Sequence, residues 1–114
     1  MLFVCYSKCG TCKKAQKHLD VLQKEYVVRD IKTENPTRDE LESWWKMSDL
    51  PLRKFFNTSG KLYKEMDLKS KILFMSDDEI LDLLASDGML IKRPILVNDD
   101  MVLVGYKEAE YENL

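Results

Sequence analysis

Ser7-Lys8-Cys9-Gly10-Thr11-Cys12-Lys13-Lys14 lies between a short apolar run, Leu2 to Tyr6, and a segment in which Ala15, Leu19 and Leu22 recur at helical spacing. The first run is partly β-branched and aromatic and reads as a buried strand. The second reads as an amphipathic helix from Thr11 to about Lys24. Two thiols therefore stand where a strand hands over to a helix. Unpaired backbone N–H groups and the positive end of the helix dipole favour thiolate over thiol there. A spacing of two residues brings the sulfurs within disulfide reach across the first turn. Cys9 is expected to be the more exposed and acidic thiol, and Cys12, one turn in, is placed to resolve a mixed disulfide. Lys8 and Lys13 add positive charge beside them.

Working outward, Tyr26 to Ile31 is rich in strand formers and completes a βαβ unit with parallel strands and a right-handed crossover. The middle of the chain is helical. Thr37-Arg38-Asp39-Glu40 has the capping-box form and starts a helix to about Met47. Of the adjacent Trp44 and Trp45, one is expected in the core and the other at a helix edge. Leu50 to Phe56 suggests a short helix with Pro51 in its first turn, ended by Asn57-Thr58-Ser59-Gly60. A further helical piece runs from Asp67 to about Phe74. Ser76-Asp77-Asp78-Glu79 then caps a helix that stops near Gly88, expected as a left-handed C-terminal cap. Ile95 to Val97 and Met101 to Val104, separated by Asn98-Asp99-Asp100, read as a β-hairpin, and a last helix covers Lys107 to about Asn113. The fold class is α/β. The order βαβ, helices, then ββα is thioredoxin-like, with a mixed four-stranded sheet and a helical insertion. One domain over residues 1–114 is expected, with its core at about 1–34 and 91–114 and the insertion at about 35–90.

A chain of 114 residues with 45% apolar composition suits one hydrophobic core. Its net charge of −2 with dispersed basic residues argues against direct nucleic-acid binding. No apolar stretch approaches the ~20 residues that cross a bilayer, so a cytoplasmic protein without membrane association is expected. The three cysteines cluster within residues 5–12, unlike a structural disulfide framework. Cys5, Cys9 and Cys12 have a C-x3-C-x2-C spacing that some iron–sulfur proteins use, but Cys5 falls within the strand and no fourth ligand clusters with them. No metal is expected, and Cys5 reads as a small buried hydrophobe. His18, the single histidine, lies two turns into the helix, away from the thiols. Arg93-Pro94 precedes the third strand, beside the CxxC helix in a sheet of this kind. A cis proline there would shape a groove, with Arg93 offering a planar cation to an anion or a thiolate.

Three motifs carry a resemblance over essentially the whole chain: Tyr6 to Ala15, Leu52 to Gly60, and Ile91 to Leu96 with Val104-Gly105-Tyr106. Together they resemble the arsenate reductase (ArsC)/Spx family, which has a thioredoxin-like fold with a helical insertion. The resemblance implies that Cys9 takes the place of the cysteine that attacks arsenate, and that Arg53 and Arg93 take the places of two arginines that hold the oxyanion. Pro94 and Lys13 complete the expected anion-facing set. A third family arginine would fall after Gly105, where this chain has Tyr106 and Lys107, and Tyr6 replaces a histidine ahead of the cysteine. Cys12 is similar to the Spx branch, whose CxxC is a redox switch and whose members bind the RNA polymerase alpha subunit. The expected function is thus a thiol–disulfide oxidoreductase acting on arsenate or another oxidised substrate, or a redox-sensing regulator. No bound cofactor is expected, and reducing equivalents would come from thioredoxin, glutaredoxin or glutathione.

Overall fold

The structure is a computed structural model and describes residues 1–114. Strand β1 (Leu2–Cys5) lies second in a four-stranded sheet of order β2-β1-β3-β4. It pairs in parallel with β2 (Val27–Asp30) and antiparallel with β3 (Ile95–Val97), which in turn pairs antiparallel with β4 (Val102–Val104). The period of two along β1 divides the interior. Phe3 and Cys5 join Cys12, Ala15 and Leu19 of helix α1 (Gly10–Val21), Leu96 of β3, and Tyr111 of helix α6 (Glu108–Glu112). Val4 joins Ile95, Val102 and Val104 in a larger cluster on the other face, filled from the helices between β2 and β3. This is the mixed α/β thioredoxin-like sheet expected from the order of elements.

Those intervening helices are α2 (Arg38–Ser48), α3 (Lys61–Glu65), α4 (Leu68–Lys71) and α5 (Asp77–Ser86). Both expected capping boxes close: Thr37 with Glu40 at the start of α2, and Ser76 with Glu79 at the start of α5. Trp44 is 5% exposed and packs in the core. Trp45 lies half-buried at the helix edge, where its Nε1–H donates to the Leu50 carbonyl at 2.9 Å. Arg29 of β2 reaches Glu40 through two bonds of 2.6 and 2.9 Å and donates also to the Glu34 and Asn35 carbonyls, which fixes the entry to α2.

Some local readings are corrected. The short helix expected at Leu50 to Phe56 is a 3-10 helix over Leu52–Phe55 with Pro51 as its N-cap, and α3 follows Gly60 where no element was expected. The piece expected at Asp67 to Phe74 divides into α4 and a 3-10 turn, Ile72–Phe74. Gly88 is no left-handed cap: α5 ends at Ser86, and Gly88 opens a 3-10 turn with negative φ. Its reason is steric. A Cβ built there would stand 1.8 Å from the Ile31 carbonyl oxygen, so the backbones approach as only glycine allows. Strand β2 is an edge strand with Val27 and Val28 exposed at 68% and 50%. No helix is long and apolar enough to cross a membrane.

Candidate active site

Cys9 is the N-cap of α1, with extended backbone angles of φ −94° and ψ 120°. Its N–H donates to the Tyr6 carbonyl at 3.0 Å, a tight return that turns the chain from β1 into the helix. Cys12, Ala15 and Leu19 form the buried stripe of α1 and press it onto the sheet. That stripe settles the two thiols differently: Cys9 is half-buried at the surface, and Cys12 is 2% exposed beneath it. The Tyr6 N–H donates to Cys12 Sγ at 3.4 Å. All three cysteines are free thiols.

Burial opposes charge on Cys9, but the Cys12 N–H and thiol, followed by the Arg93 guanidinium, outweigh it and hold the Cys9 pKa below that of an ordinary thiol. No side-chain hydrogen bond of normal capping geometry closes on Cys9, so these groups act on it as neighbouring donors and charges. Cys12 moves the other way. Burial, only partly offset by the Tyr6 N–H and reinforced by Cys9, pushes it up to about 12.

A cleft of about 420 Å³ opens over Cys9, lined by the start of α1, the Asn57 to Gly60 loop, Lys92 and Arg93 ahead of β3, and the end of β4 with the residues after it. A short pairing builds its far wall. Phe56 bridges Ile91, the Asn57 N–H donates to the Leu90 carbonyl at 2.8 Å, and the Lys92 N–H donates to the Phe55 carbonyl at 2.7 Å. This clamp brings Asn57, Ser59 and Gly60 to face Cys9 and Thr11. Arg93 lies in the cleft with its guanidinium 5.2 Å from the centre of the Tyr6 ring. Its Nε and Nη1 are buried and have no hydrogen-bond partner. A guanidinium that makes no salt bridge and stands beside a thiolate-forming cysteine is suited to an incoming anion. The Arg93–Pro94 peptide is cis, and Pro94 is buried behind Arg93 at the entry to β3.

The structure thus brings Cys9, Cys12, Arg93 and Pro94 together and leaves out two expected members. Arg53 does not line the Cys9 cleft. Leu52 and Phe55 are the buried pair of their 3-10 turn, so Arg53 between them points outward, into grooves shared with Ile72 and Leu73. Lys13 is also absent from the cleft, because the stripe of Cys12, Ala15 and Leu19 turns it to the exposed side of α1. Residues not expected as site members take their place: Asn57, Ser59, Gly60, Lys92, Gly105, Tyr106 and Lys107. Their sequence signal was the polar run after Phe56 and the glycine ending β4. His18 is engaged elsewhere, its Nδ1 2.7 Å from the Tyr106 hydroxyl and its Nε2 2.5 Å from Glu112 Oε1.

Comparison with known proteins agrees with this architecture. YusI of Bacillus subtilis strain 168 is 49% identical over 112 residues, covering 98% of this chain and 95% of its own. The regulatory protein MgsR of the same organism is 30% identical over 110 residues, covering 96% and 86%. The global transcriptional regulator Spx 2 of Bacillus cereus is 26% identical over 104 residues, covering 91% and 78%. Among solved structures, an ArsC family related protein from Bacteroides fragilis superimposes with a TM-score of 0.96 at 48% identity, covering 98% of this chain and 94% of that one. A possible arsenate reductase from Streptococcus mutans UA159 gives 0.90 at 46% with the same coverage. The ArsC family profile matches residues 5–114, and the chain belongs to the ArsC family.

Proposed function

We propose that the protein is a thiol–disulfide oxidoreductase in which Cys9 is the nucleophile and Cys12 the resolving thiol, with Arg93 facing the anionic group of the substrate. The observation that carries this reading is the asymmetry of the thiols: an acidified, half-exposed sulfur capping α1 directly over a buried, reluctant one. For a disulfide substrate, the Cys9 thiolate attacks one sulfur and expels the other as a thiolate. Cys12 then loses its proton and attacks Cys9 Sγ, and the second half leaves as a thiolate. The two cysteines give up two electrons and two protons, and the substrate becomes two thiols. Thioredoxin, glutaredoxin or glutathione would return the pair to the dithiol. Arsenate, an oxidant of the same two-electron capacity, is an alternative substrate at the same sulfur.

In the test, Cys12→Ser accumulates a mixed disulfide at Cys9 while Cys9→Ser traps none. Equal, slow alkylation of both thiols at neutral pH would overturn the reading. Assays of arsenate-dependent oxidation of reduced nicotinamide cofactor, coupled through thioredoxin and glutaredoxin separately, distinguish the substrates and donors.

The similarity to MgsR and Spx 2 favours a second reading, in which the same pair is a redox sensor on a regulator that binds the RNA polymerase alpha subunit. Failure to form any complex with RNA polymerase under both oxidising and reducing conditions removes it.

A further inference from the structure

We infer that the Cys9 cleft contains a second anion subsite, formed by Lys92 where it crosses Gly105 and by Lys107, for a substrate carrying a negative group in addition to the one beside Arg93. This inference rests on the proposed chemistry of Cys9 and specifies the kind of substrate it would take.

Charge is the first observation. Lys92, Arg93 and Lys107 line the cleft and no carboxylate does, although the chain as a whole carries −2. None of the three cations makes a salt bridge within the protein, whereas Arg29, Arg38, Lys46 and Lys61 do. Concentrating unpaired cations in a partly enclosed cleft raises the local concentration of anions.

The second observation is how Lys92 gets there. Gly105 has φ +77°, and a Cβ built on it would stand 2.8 Å from Lys92 Cε, 3.6 Å from Nζ and 3.7 Å from Cδ. The aliphatic stem of Lys92 therefore lies along the bare backbone of Gly105. Its own backbone is held to Phe55 by the 2.7 Å bond. A side chain at position 105 would displace the end of the lysine from this course, and the left-handed turn after β4 itself calls for glycine.

Size is the third. A cleft of about 420 Å³ is in the range of small organic ligands, ~300–1,000 Å³, and would hold on the order of a dozen waters at ~30 Å³ each. A lone tetrahedral oxyanion at Arg93 leaves most of it unfilled. A small acidic disulfide, with one anionic group near the reacting sulfur and another toward Lys92 and Lys107, fills it.

The test compares two aromatic disulfides: the dianion dithiobis(nitrobenzoate) and the uncharged dithiodipyridine. Each is attacked by the Cys9 thiolate, releasing a coloured aromatic thiolate or thione and leaving a mixed disulfide. Both need the same thiolate, so the ratio of their rates cancels any change in the Cys9 pKa. Lys92→Met is expected to lower the dianion-to-neutral ratio by about fivefold, as for loss of one partly screened charge. Lys92→Arg restores the ratio, and Arg53→Met, outside the cleft, leaves it in place. A ratio within about twofold of wild type in both Lys92→Met and Lys92→Glu, with the proteins folded, overturns the subsite. Slow reaction of wild-type Cys9 with the neutral reagent would instead count against the proposed chemistry of Cys9, so the two failures are distinguishable.

Discussion

Arg93→Met separates a functional arginine from a structural one, because the two roles move stability in opposite directions. Arg93 is one of the groups that hold Cys9 below an ordinary thiol pKa. A unit charge at about 4 Å contributes ~1 kcal/mol in water and ~4 kcal/mol at an effective dielectric of ~20. The half-buried Cys9 lies between these limits, so removal of the cation should raise its pKa. For stability, two buried donors of Arg93 have no partner, and each such group costs about 1–3 kcal/mol. The contact with Tyr6 at 5.2 Å offsets ~1–2 kcal/mol of that. Methionine keeps much of the stem and buries no donor, so the variant should be at least as stable as wild type. The pH dependence of iodoacetamide alkylation, quantified at Cys9 by mass spectrometry, measures the first effect, and urea unfolding measures the second. If Arg93→Met loses more than ~2 kcal/mol while the Cys9 pKa stays in place, the guanidinium is a structural element and the anion-facing assignment fails.

The Cys12 thiol also stabilises the Cys9 thiolate, so Cys12→Ala should raise the Cys9 pKa above that of Cys12→Ser, which keeps a donor; equal alkylation profiles would show that the thiol plays no part. Glu40 is held at about 2, chiefly by Arg29, below its unfolded value of ~4.3. A depressed carboxylate contributes stability above the unfolded pKa and loses it as pH falls toward the folded one. Glu40→Gln should therefore be less stable than wild type at pH 7 by about 1–2 kcal/mol, with the gap closing between about pH 4 and pH 2; a gap independent of pH would contradict the assignment. Gly88→Ala drives a methyl into the Ile31 carbonyl and should cost about 3 kcal/mol or more. A chemical unfolding midpoint near wild type would show that this backbone approach can relax.

The elements that were legible in the sequence are those whose signals are local. The capping boxes at Thr37 and Ser76, the strand pattern of Leu2 to Cys5 and the turn at Asn98 to Asp100 depend on residues within a few positions of one another. Gly88 was misread because its reason lies across the fold, at the Ile31 carbonyl, and an isolated glycine after a helix looks the same whether it caps or merely fits. Arg53 was misplaced for a related reason. Its position in the Leu52 to Gly60 motif indicated nearness to the cleft, and the backbone is near: Phe55 and Asn57 pair with Lys92 and Leu90. Which side chains of a 3-10 turn face inward depends on the apolar pair it buries, here Leu52 and Phe55, and that pair turns Arg53 away. The positions of Cys9, at the handover from β1 to α1, and of Arg93, at the entry to β3, were legible because the strand–helix order already implies both junctions.

The same packing that separates the two thiols also imposes an order on any reaction that begins at Cys9. While Cys9 is charged, its field adds to burial in keeping Cys12 protonated, so Cys12 cannot compete for the substrate or be lost to side oxidation. Once Cys9 has formed a covalent bond, that charge is gone. Burial still opposes ionisation of Cys12, but the Tyr6 N–H at 3.4 Å remains to stabilise its sulfur, and the electrophile is now the Cys9 sulfur itself, one turn away. In the proposed mechanism, Cys12 thus becomes easier to ionise only after its target exists. A more exposed Cys12 would ionise readily at rest and leave two interchangeable nucleophiles. The buried stripe of Cys12, Ala15 and Leu19 therefore does two jobs: it docks α1 onto the sheet, and it holds the second thiol in reserve.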